Sequence, residues 1–345
     1  MRIRALVLAI PLIVLAACSS GTDTSATGSG TDASGSTSEA ATLGPTVPPA
    51  TAIAAPVAAE QLPTVTGDFG TKPTMTFPAG DPVGSLQRVV LSEGTGPVVA
   101  EGDWVVVNYL GQIWGGEVFD NSFDKGKTLA FQASPEGQVV PGWRIGMIGV
   151  PVGSRIMLTL PPADGYGAAG SSGAGIGGTD TLVFIVDIVQ AIGPNTGGQT
   201  DAVPAAPLPA TGPQVAGDLG APATVTIPAG TPEPTAPTVT VIATGTGAPV
   251  VLGSVLVQYT ATAWTGETAG TTWPSTDPNA AAAGTAGTGP QELPVATGGP
   301  FAGLVGIPVG SRVLVQVPGQ ASSQTGQPSP AIAAVVDILN QNTAT

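Results

Sequence analysis

The side chains with chemical reach in this sequence are mostly aromatic. Tyr109, Phe119, Phe131, Trp143, Tyr166 and Phe184 fall in one stretch of chain, and a carboxylate, Asp120, follows Phe119 directly. Gly142 precedes Trp143. Tyr166 stands in Asp164-Gly165-Tyr166-Gly167, a loop context where core side chains are less common and sites more so. Taken singly, most aromatic residues of a small domain are core. Taken with their Gly and Pro neighbours, they describe an apolar groove carrying few polar groups, the usual form of a ligand pocket. Aromatic grooves also suit proline. Asp120 either supplies the polar group of such a groove or is a carboxylate capping the turn after a strand.

The composition narrows the chemistry further. The 345 residues include no His and one Cys. Without imidazole, Ser-His-Asp, Cys-His and zinc-His sites are excluded, and one Cys cannot form an internal disulfide. No metal or cofactor is expected. With 9 Lys+Arg against 23 Asp+Glu the net charge is -14. That argues against nucleic acid as a partner and against an adsorbing patch on anionic lipid. Some of the 50 Gly and 35 Pro must lie in linkers, because both disfavour element interiors.

Arg2 and Arg4 precede an apolar stretch over residues 5–16, broken only by Pro11, and Leu15-Ala16-Ala17-Cys18 closes it. The stretch is too short for an ordinary membrane span and reads as a signal peptide over 1–17. Leu-Ala-Ala-Cys resembles the lipobox of bacterial lipoproteins. The resemblance implies lipidation of Cys18 and an exported protein held to the outer face of the cell membrane by lipid alone. The alternative is an ordinary secretory signal with an incidental Cys. Residues 18–61 are largely Ser, Thr, Gly, Ala and Pro and read as a disordered tether, with too little apolar bulk to offset its ordering entropy.

The steps that must position the aromatic set occur twice. Gly67-Asp68-Phe69-Gly70 through Pro82 returns as Gly217-Asp218-Leu219-Gly220 through Pro232, and Tyr109 returns as Tyr259, both 150 residues later. Pro151-Val152-Gly153-Ser154-Arg155 returns as Pro308-Val309-Gly310-Ser311-Arg312. An internal duplication is the reading, with domains over 62–190 and 212–340 and a polar, Pro-rich linker over 191–211. In the first copy strands are expected over 86–91, 104–110, 118–120, 129–132, 156–160 and 181–189, with a two-turn helix over 142–148. In the second, strands are expected over 238–242, 255–260, 312–317 and 332–339. Residues 268–289 read as low-complexity sequence in place of ordered structure. The expected class is α+β, an antiparallel sheet with one short helix against it.

Set in order, Tyr109-Leu110-Gly111-Gln112, Gly116 to Phe123, Gln138 to Trp143, Met147-Ile148-Gly149, Val152 to Arg155, Pro161 to Gly167 and Thr181 to Phe184 resemble the FK506-binding-protein (FKBP) type of peptidyl-prolyl cis-trans isomerase. The likeness covers about residues 86–190. It implies tandem FKBP-like domains, each a twisted antiparallel sheet wrapped over a short helix. By resemblance Trp143 is the pocket floor. Trp143 and Phe184 hold the proline ring, Tyr166 bonds the peptide carbonyl, and Asp120 polarises the site or anchors Tyr109. Phe119, Phe131, Val139, Val140 and Ile176 complete the wall, and the backbone carbonyl of Gln138 contacts the ligand. Leu129 stands where the family commonly has Phe, and Lys125 near a position often held by Arg.

The implied reaction suits a chain without His. The cis/trans barrier is about 18–20 kcal/mol because amide resonance must be broken. No bond is cleaved, so no nucleophile is needed, and a dry apolar groove favours the twisted imide. The implied partners are proline-containing polypeptides and an FK506-like macrolide. The implied role is assisting the folding of exported proteins. A non-catalytic proline-peptide binder or holdase is the alternative, and a mainly structural envelope protein a third. In the second copy Tyr259 is kept, Trp273-Pro274 is the nearest remnant of Phe-Asp, and Pro300 with Phe301 stands in place of Trp143. That copy is expected to be inactive.

Overall fold

A computed structural model describes residues 50–135, 139–282, 285–320 and 329–341. The signal peptide, Cys18, the tether up to residue 49 and Gln138 lie outside the described residues.

The first half opens with a hairpin of β1 (Thr64–Thr66) and β2 (Thr74–Thr76). There follow β3 (Gln87–Ser92), β4 (Trp104–Ile113), β5 (Val118–Asn121), helix α1 (Ser122–Lys125), β6 (Leu129–Gln132), helix α2 (Pro141–Met147), β7 (Arg155–Leu160) and β8 (Leu182–Ile192). The sheet order is β3-β7-β8-β4-β5, antiparallel throughout, with β6 on β4. Strand β8 is a nearly unbroken apolar run because both of its faces are covered. Phe184, Val186 and Ile188 enter the main core with Trp143 and Leu158. Val183 and Ile185 face the other way, under Leu62 and the hairpin residues Val65 and Met75.

Helix α2 lies flush on β7 through two glycines one turn apart. A Cβ at Gly142 would stand 2.6 Å from Leu160 Cγ, and one at Gly146 would stand 2.6 Å from Leu158 Cδ2. Pro141 opens the helix where a missing N–H costs nothing, and Gly149, at φ +83°, lets the chain turn away after it.

The second half comprises β9 (Val203–Pro204), β10 (Gln214–Ala216), β11 (Thr224–Thr226), β12 (Thr238–Thr244), β13 (Gly253–Ala263), β14 (Thr268–Thr271), α3 (Pro278–Ala282), β15 (Gln291–Val295), β16 (Arg312–Val317) and β17 (Ile332–Gln341). Its order, β14-β13-β17-β16-β12 with β15 on β13, repeats that of the first sheet, and β9 adds one edge strand. Each half carries the same buried ion pair. Arg155 meets Asp187 at 2.6 Å and bonds Gly67 and Thr71 carbonyls, while Arg312 meets Asp337 at 2.6 Å and bonds Asp218 and Ala221 carbonyls. The repeated Gly-Asp-x-Gly thus forms a loop gripped by the repeated Arg.

Three expectations are corrected. Residues 50–61 are not tether: Ala50 and Ile53 pack on the main core, Val57 packs on the back cluster, and Ala59–Gln61 is a 3-10 turn. Their small apolar side chains suffice because they cover an existing core rather than build one. The linker is not free over its length. Strand β8 runs on to Ile192, Gln199 N–H donates to Gly310 O, and Val203–Pro204 pairs with β12. Residues 268–289 contain β14 and α3; the Thr-Ala-Gly-Thr of β14 has weak strand propensity and is held by its ladder with β13.

Candidate functional site

The site is built on the middle of β4. Gly111 pairs with Asp120 on one side and Phe184 on the other. A Cβ at Gly111 would stand 2.6 Å from Phe119 Cζ and 2.7 Å from Phe184 Cε1. The glycine therefore lets both rings close over the strand, as a Gly within a strand often does where something must approach. Those rings meet edge to face at 5.5 Å, and Phe184 meets Trp143 the same way at 5.1 Å. Trp143, 3 % exposed, also touches Tyr109 at 5.2 Å and Phe131 at 5.6 Å. Its ring is fixed from three sides. Its buried Nε1–H has no hydrogen-bond partner among the described residues.

The turn after β5 supplies the polar group. Asn121 accepts from Asp124 N–H at 2.7 Å and so caps α1, whose end is turned by Gly126 at φ +59°. Asn121 carries the capping role that Asp120 had as its alternative reading. Asp120 points inward instead. Tyr109 Oη donates to Asp120 Oδ2 at 2.7 Å, and Lys125 Nζ, one turn along α1, pairs with Oδ1. Ser122 Oγ accepts from Tyr109 N–H at 2.8 Å and locks the turn to β4. Burial alone pushes the Asp120 carboxyl up. The hydrogen bonds from Lys125 and Tyr109 and the Lys125 charge outweigh it and hold the group below its ordinary value. Burial first, then the bond to Asp120 and its charge, raises the Tyr109 phenol far above its ordinary value. Tyr109 thus stays a protonated donor and Asp120 an ionised acceptor.

Together these parts enclose a cavity of about 480 Å³, within the usual range for ligand pockets. Of the residues singled out in the sequence, Tyr109, Phe119, Asp120, Val139, Val140, Trp143, Tyr166 and Phe184 line it. Leu129 also lines it. Phe131 and Ile176, each 5 % exposed, belong to the core and are not among the lining residues. Phe131 tilts against the Trp143 ring and supports it from behind. Pro141 and Gly165 were not foreseen; each is next or near to a foreseen ring, at the start of α2 and beside Tyr166. Among the described residues no group of three His, Cys, Asp or Glu could hold a metal ion.

Register fixes what stands in the second half. Tyr259 N–H donates to Thr272 Oγ1, as Tyr109 does to Ser122. Ala261 pairs with Gly270 and Ala334, where Gly111 pairs with Asp120 and Phe184. The position of Asp120 is thus Gly270, and that of Phe119 is Ala269; Trp273-Pro274 lies beyond the turn and is no remnant of the pair. Leu293 takes the register of Phe131 and Gln291 that of Leu129. A 3-10 turn, Ala302–Leu304, replaces α2, with Leu304 buried as Met147 is.

A family model described as FKBP-type peptidyl-prolyl cis-trans isomerase matches residues 96–189. An FK506-binding protein of Streptomyces anulatus is 40 % identical over 119 residues, 34 % of this chain and 95 % of that protein. A probable FK506-binding protein of Corynebacterium glutamicum is 38 % identical over 121 residues, 35 % of this chain and 98 % of that protein. The FKBP-type peptidyl-prolyl cis-trans isomerase FkpA of Escherichia coli K12 is 39 % identical over 101 residues, 29 % of this chain; the match spans 36 % of that protein's length.

Proposed function

This chain belongs to the FKBP-type peptidyl-prolyl cis-trans isomerase family, and from that premise we propose that its first half isomerises X-Pro bonds in the cavity over Trp143. The observation that carries the reading is the row of mutually braced rings, Tyr109, Trp143, Phe184 and Phe119, that lines one cavity with an ionised carboxylate beside it.

The proline ring rests on Trp143, with Phe184 and Phe119 forming the wall beside it. Because these rings brace one another, the row costs little to organise when substrate arrives. Removing the imide from water favours the twisted state, in which nitrogen and oxygen are less charge-separated, over the planar one. Tyr166 donates to a peptide carbonyl at the mouth. Asp120 takes no proton. It orients Tyr109 and gives the site a fixed negative charge near the rotating bond. Every ~1.4 kcal/mol removed from the ~18–20 kcal/mol barrier is a tenfold gain in rate. The same cavity is the one an FK506-like macrolide would enter.

The second half is proposed as an inactive copy of the same domain. Ala269, Gly270, Leu293, Pro300 and Ala334 stand where the first half has rings and a carboxylate, and Gln291 stands in place of Leu129. Export, with lipid anchoring through Cys18, rests on the residue pattern of 2–18, and the proposed clients are exported polypeptides. Loss of radiolabelled fatty acid from Cys18→Ala cells tests the anchor.

The deciding assay is cis-to-trans isomerisation of a short X-Pro peptide by the full chain. Acceleration is expected, and its loss in a folded Trp143→Ala variant but not in Phe301→Ala. An uncatalysed rate with the folded chain would leave proline-peptide binding without turnover as the function.

A further inference from the structure

Asp164 is buried to 3 % exposure immediately before Gly165 and Tyr166, both of which line the cavity. Among the described residues its carboxylate receives one hydrogen bond, from the backbone N–H of Ala50 at 2.5 Å. A carboxylate has room for about four donors, and burying one this poorly supported is expensive. Burial accordingly raises the group above its ordinary value, against the pull of the Ala50 bond. The donor comes from 114 residues away, outside the stretch matched by the family model, which begins at residue 96. The same segment is pinned again where Ala54 N–H donates to Leu86 O at 3.0 Å, and its Ala50 and Ile53 pack on the core that holds Trp143 and Phe184.

Tyr166 is carried between two short turns, closed by the Asp164 N–H to Pro161 O and Gly170 N–H to Gly167 O bonds. Its ring is 42 % exposed, and its hydroxyl makes no hydrogen bond with the described residues. Its place is set by the backbone at Asp164 and Gly165. There the carbonyl oxygen of Asp164 lies 3.0 Å from where a Cβ of Gly142 would stand, and a Cβ of Gly165 would lie 3.3 Å from Leu182 Cδ1. A small displacement of that backbone moves the tyrosine at the cavity mouth.

We propose that residues 50–54 form a strap that positions Tyr166 for catalysis through the Ala50–Asp164 bond, which makes Asp164 a positioning residue of the proline site. The proposal rests on the isomerase reading for its catalytic half. Its structural half stands apart from that reading.

The test uses the full chain labelled with 3-fluorotyrosine. Its 3 Tyr give three fluorine resonances, with that of Tyr166 assigned by Tyr166→Phe. Ala50→Pro deletes the donor N–H and leaves every domain side chain in place. Asp164→Leu deletes the acceptor, whereas Asp164→Asn keeps an acceptor oxygen. Ala50→Pro and Asp164→Leu are expected to shift or broaden the Tyr166 resonance while that of Tyr259 stays. They should lower kcat/KM for an X-Pro peptide on the order of tenfold, the scale of a sub-ångström to ångström misplacement. Asp164→Asn should retain both properties. The double variant Ala50→Pro/Asp164→Leu should be no worse than Asp164→Leu, because the two act through one bond. An unmoved Tyr166 resonance in folded Ala50→Pro overturns the strap, whatever happens to the melting temperature. If Asp164→Leu does not fold, Ala50→Pro alone decides. If the unaltered chain fails to speed isomerisation, the isomerase reading falls, and the Tyr166 resonance still decides whether the strap sets the loop.

Discussion

Gly111→Ala is the substitution that tests the site at its centre. Gly111 has an ordinary negative φ, so alanine meets no backbone strain. The new methyl would lie 2.6 Å from Phe119 Cζ and 2.7 Å from Phe184 Cε1. Ordinary carbon contacts begin near 3.5 Å, so each ring must retreat by about 1 Å. Phe184 cannot do so freely, being 4 % exposed and braced on Trp143. Phe119, at the rim, is the ring that swings out, and the wall opens. Overpacking of this kind costs about 1–3 kcal/mol. The smaller backbone entropy of alanine returns about 0.5–1 kcal/mol. The net expectation is about 0.5–2 kcal/mol lost in urea unfolding, with isomerisation of an X-Pro peptide reduced on the order of a hundredfold from a 1 Å displacement. The second half supplies an internal control. Ala261 holds the same register, and its neighbours there are Gly270 and Ala334 rather than Asp120 and Phe184. Ala261→Gly should therefore leave isomerisation unchanged. Wild-type rate and stability in Gly111→Ala would refute the braced-ring account of the pocket.

Trp143→Ala should cost about 3–5 kcal/mol in unfolding free energy. Trp143→Phe should cost less than the loss of ring area suggests, because it also removes a buried N–H with no partner among the described residues, a burden of about 1–3 kcal/mol; equal costs in the two variants would contradict this. Arg155→Met leaves Asp187 buried with the Gly70 N–H as its remaining hydrogen-bond donor, and is expected to cost about 3–5 kcal/mol, with much of it recovered in Arg155→Met/Asp187→Leu. Double variants no more stable than the single one would show that the hairpin bonds of Arg155, not the stranded charge, set the cost. The two site carboxylates should leave opposite marks on stability against pH. Asp120 is held below its ordinary value, so its contribution is present above the unfolded carboxylate pKa and is lost as pH falls through the lowered one. Asp164 is held above its ordinary value, so the folded state gains stability as pH falls from the raised value towards about 4. Thermal melts of Asp120→Asn and Asp164→Asn across this range should remove one slope each, and slopes of the same sign would contradict the assignment.

Much of the site was legible because its signals are local. Trp143 declares itself by Pro141-Gly142 before it and Gly149 after it, which fix a short helix and its end. The turn from Asp120 to Gly126 carries its own cap. Of the eight foreseen residues that line the cavity, the rings and the carboxylate could be named from such contexts, whereas Val139 and Val140 came only with the family resemblance. Phe131 and Ile176 could not be separated from them, because a support behind a ring and a wall beside it share one composition. The role of Gly111 was also hidden. A glycine between apolar strand residues signals a close approach, but not by which side chains.

By itself the sequence determined the repeated motifs, the long central strands of each half, the absence of imidazole chemistry and the aromatic set. These are properties of composition, short-range periodicity and repeated motifs, and they do not depend on which distant segments meet. The tertiary structure alone decided the partners. Register placed Gly270, not Trp273, at the position of Asp120, because a ladder counts residues from its pairing and not from the nearest similar side chain. Packing placed Ala50, Ile53 and Val57 of the expected tether on the clusters of the first half, because a few apolar side chains that cannot build a core can still cover one. The bond from Ala50 to Asp164 joins residues whose local sequences carry no trace of each other. It exists because folding brings a spare backbone N–H to a carboxylate that has left water.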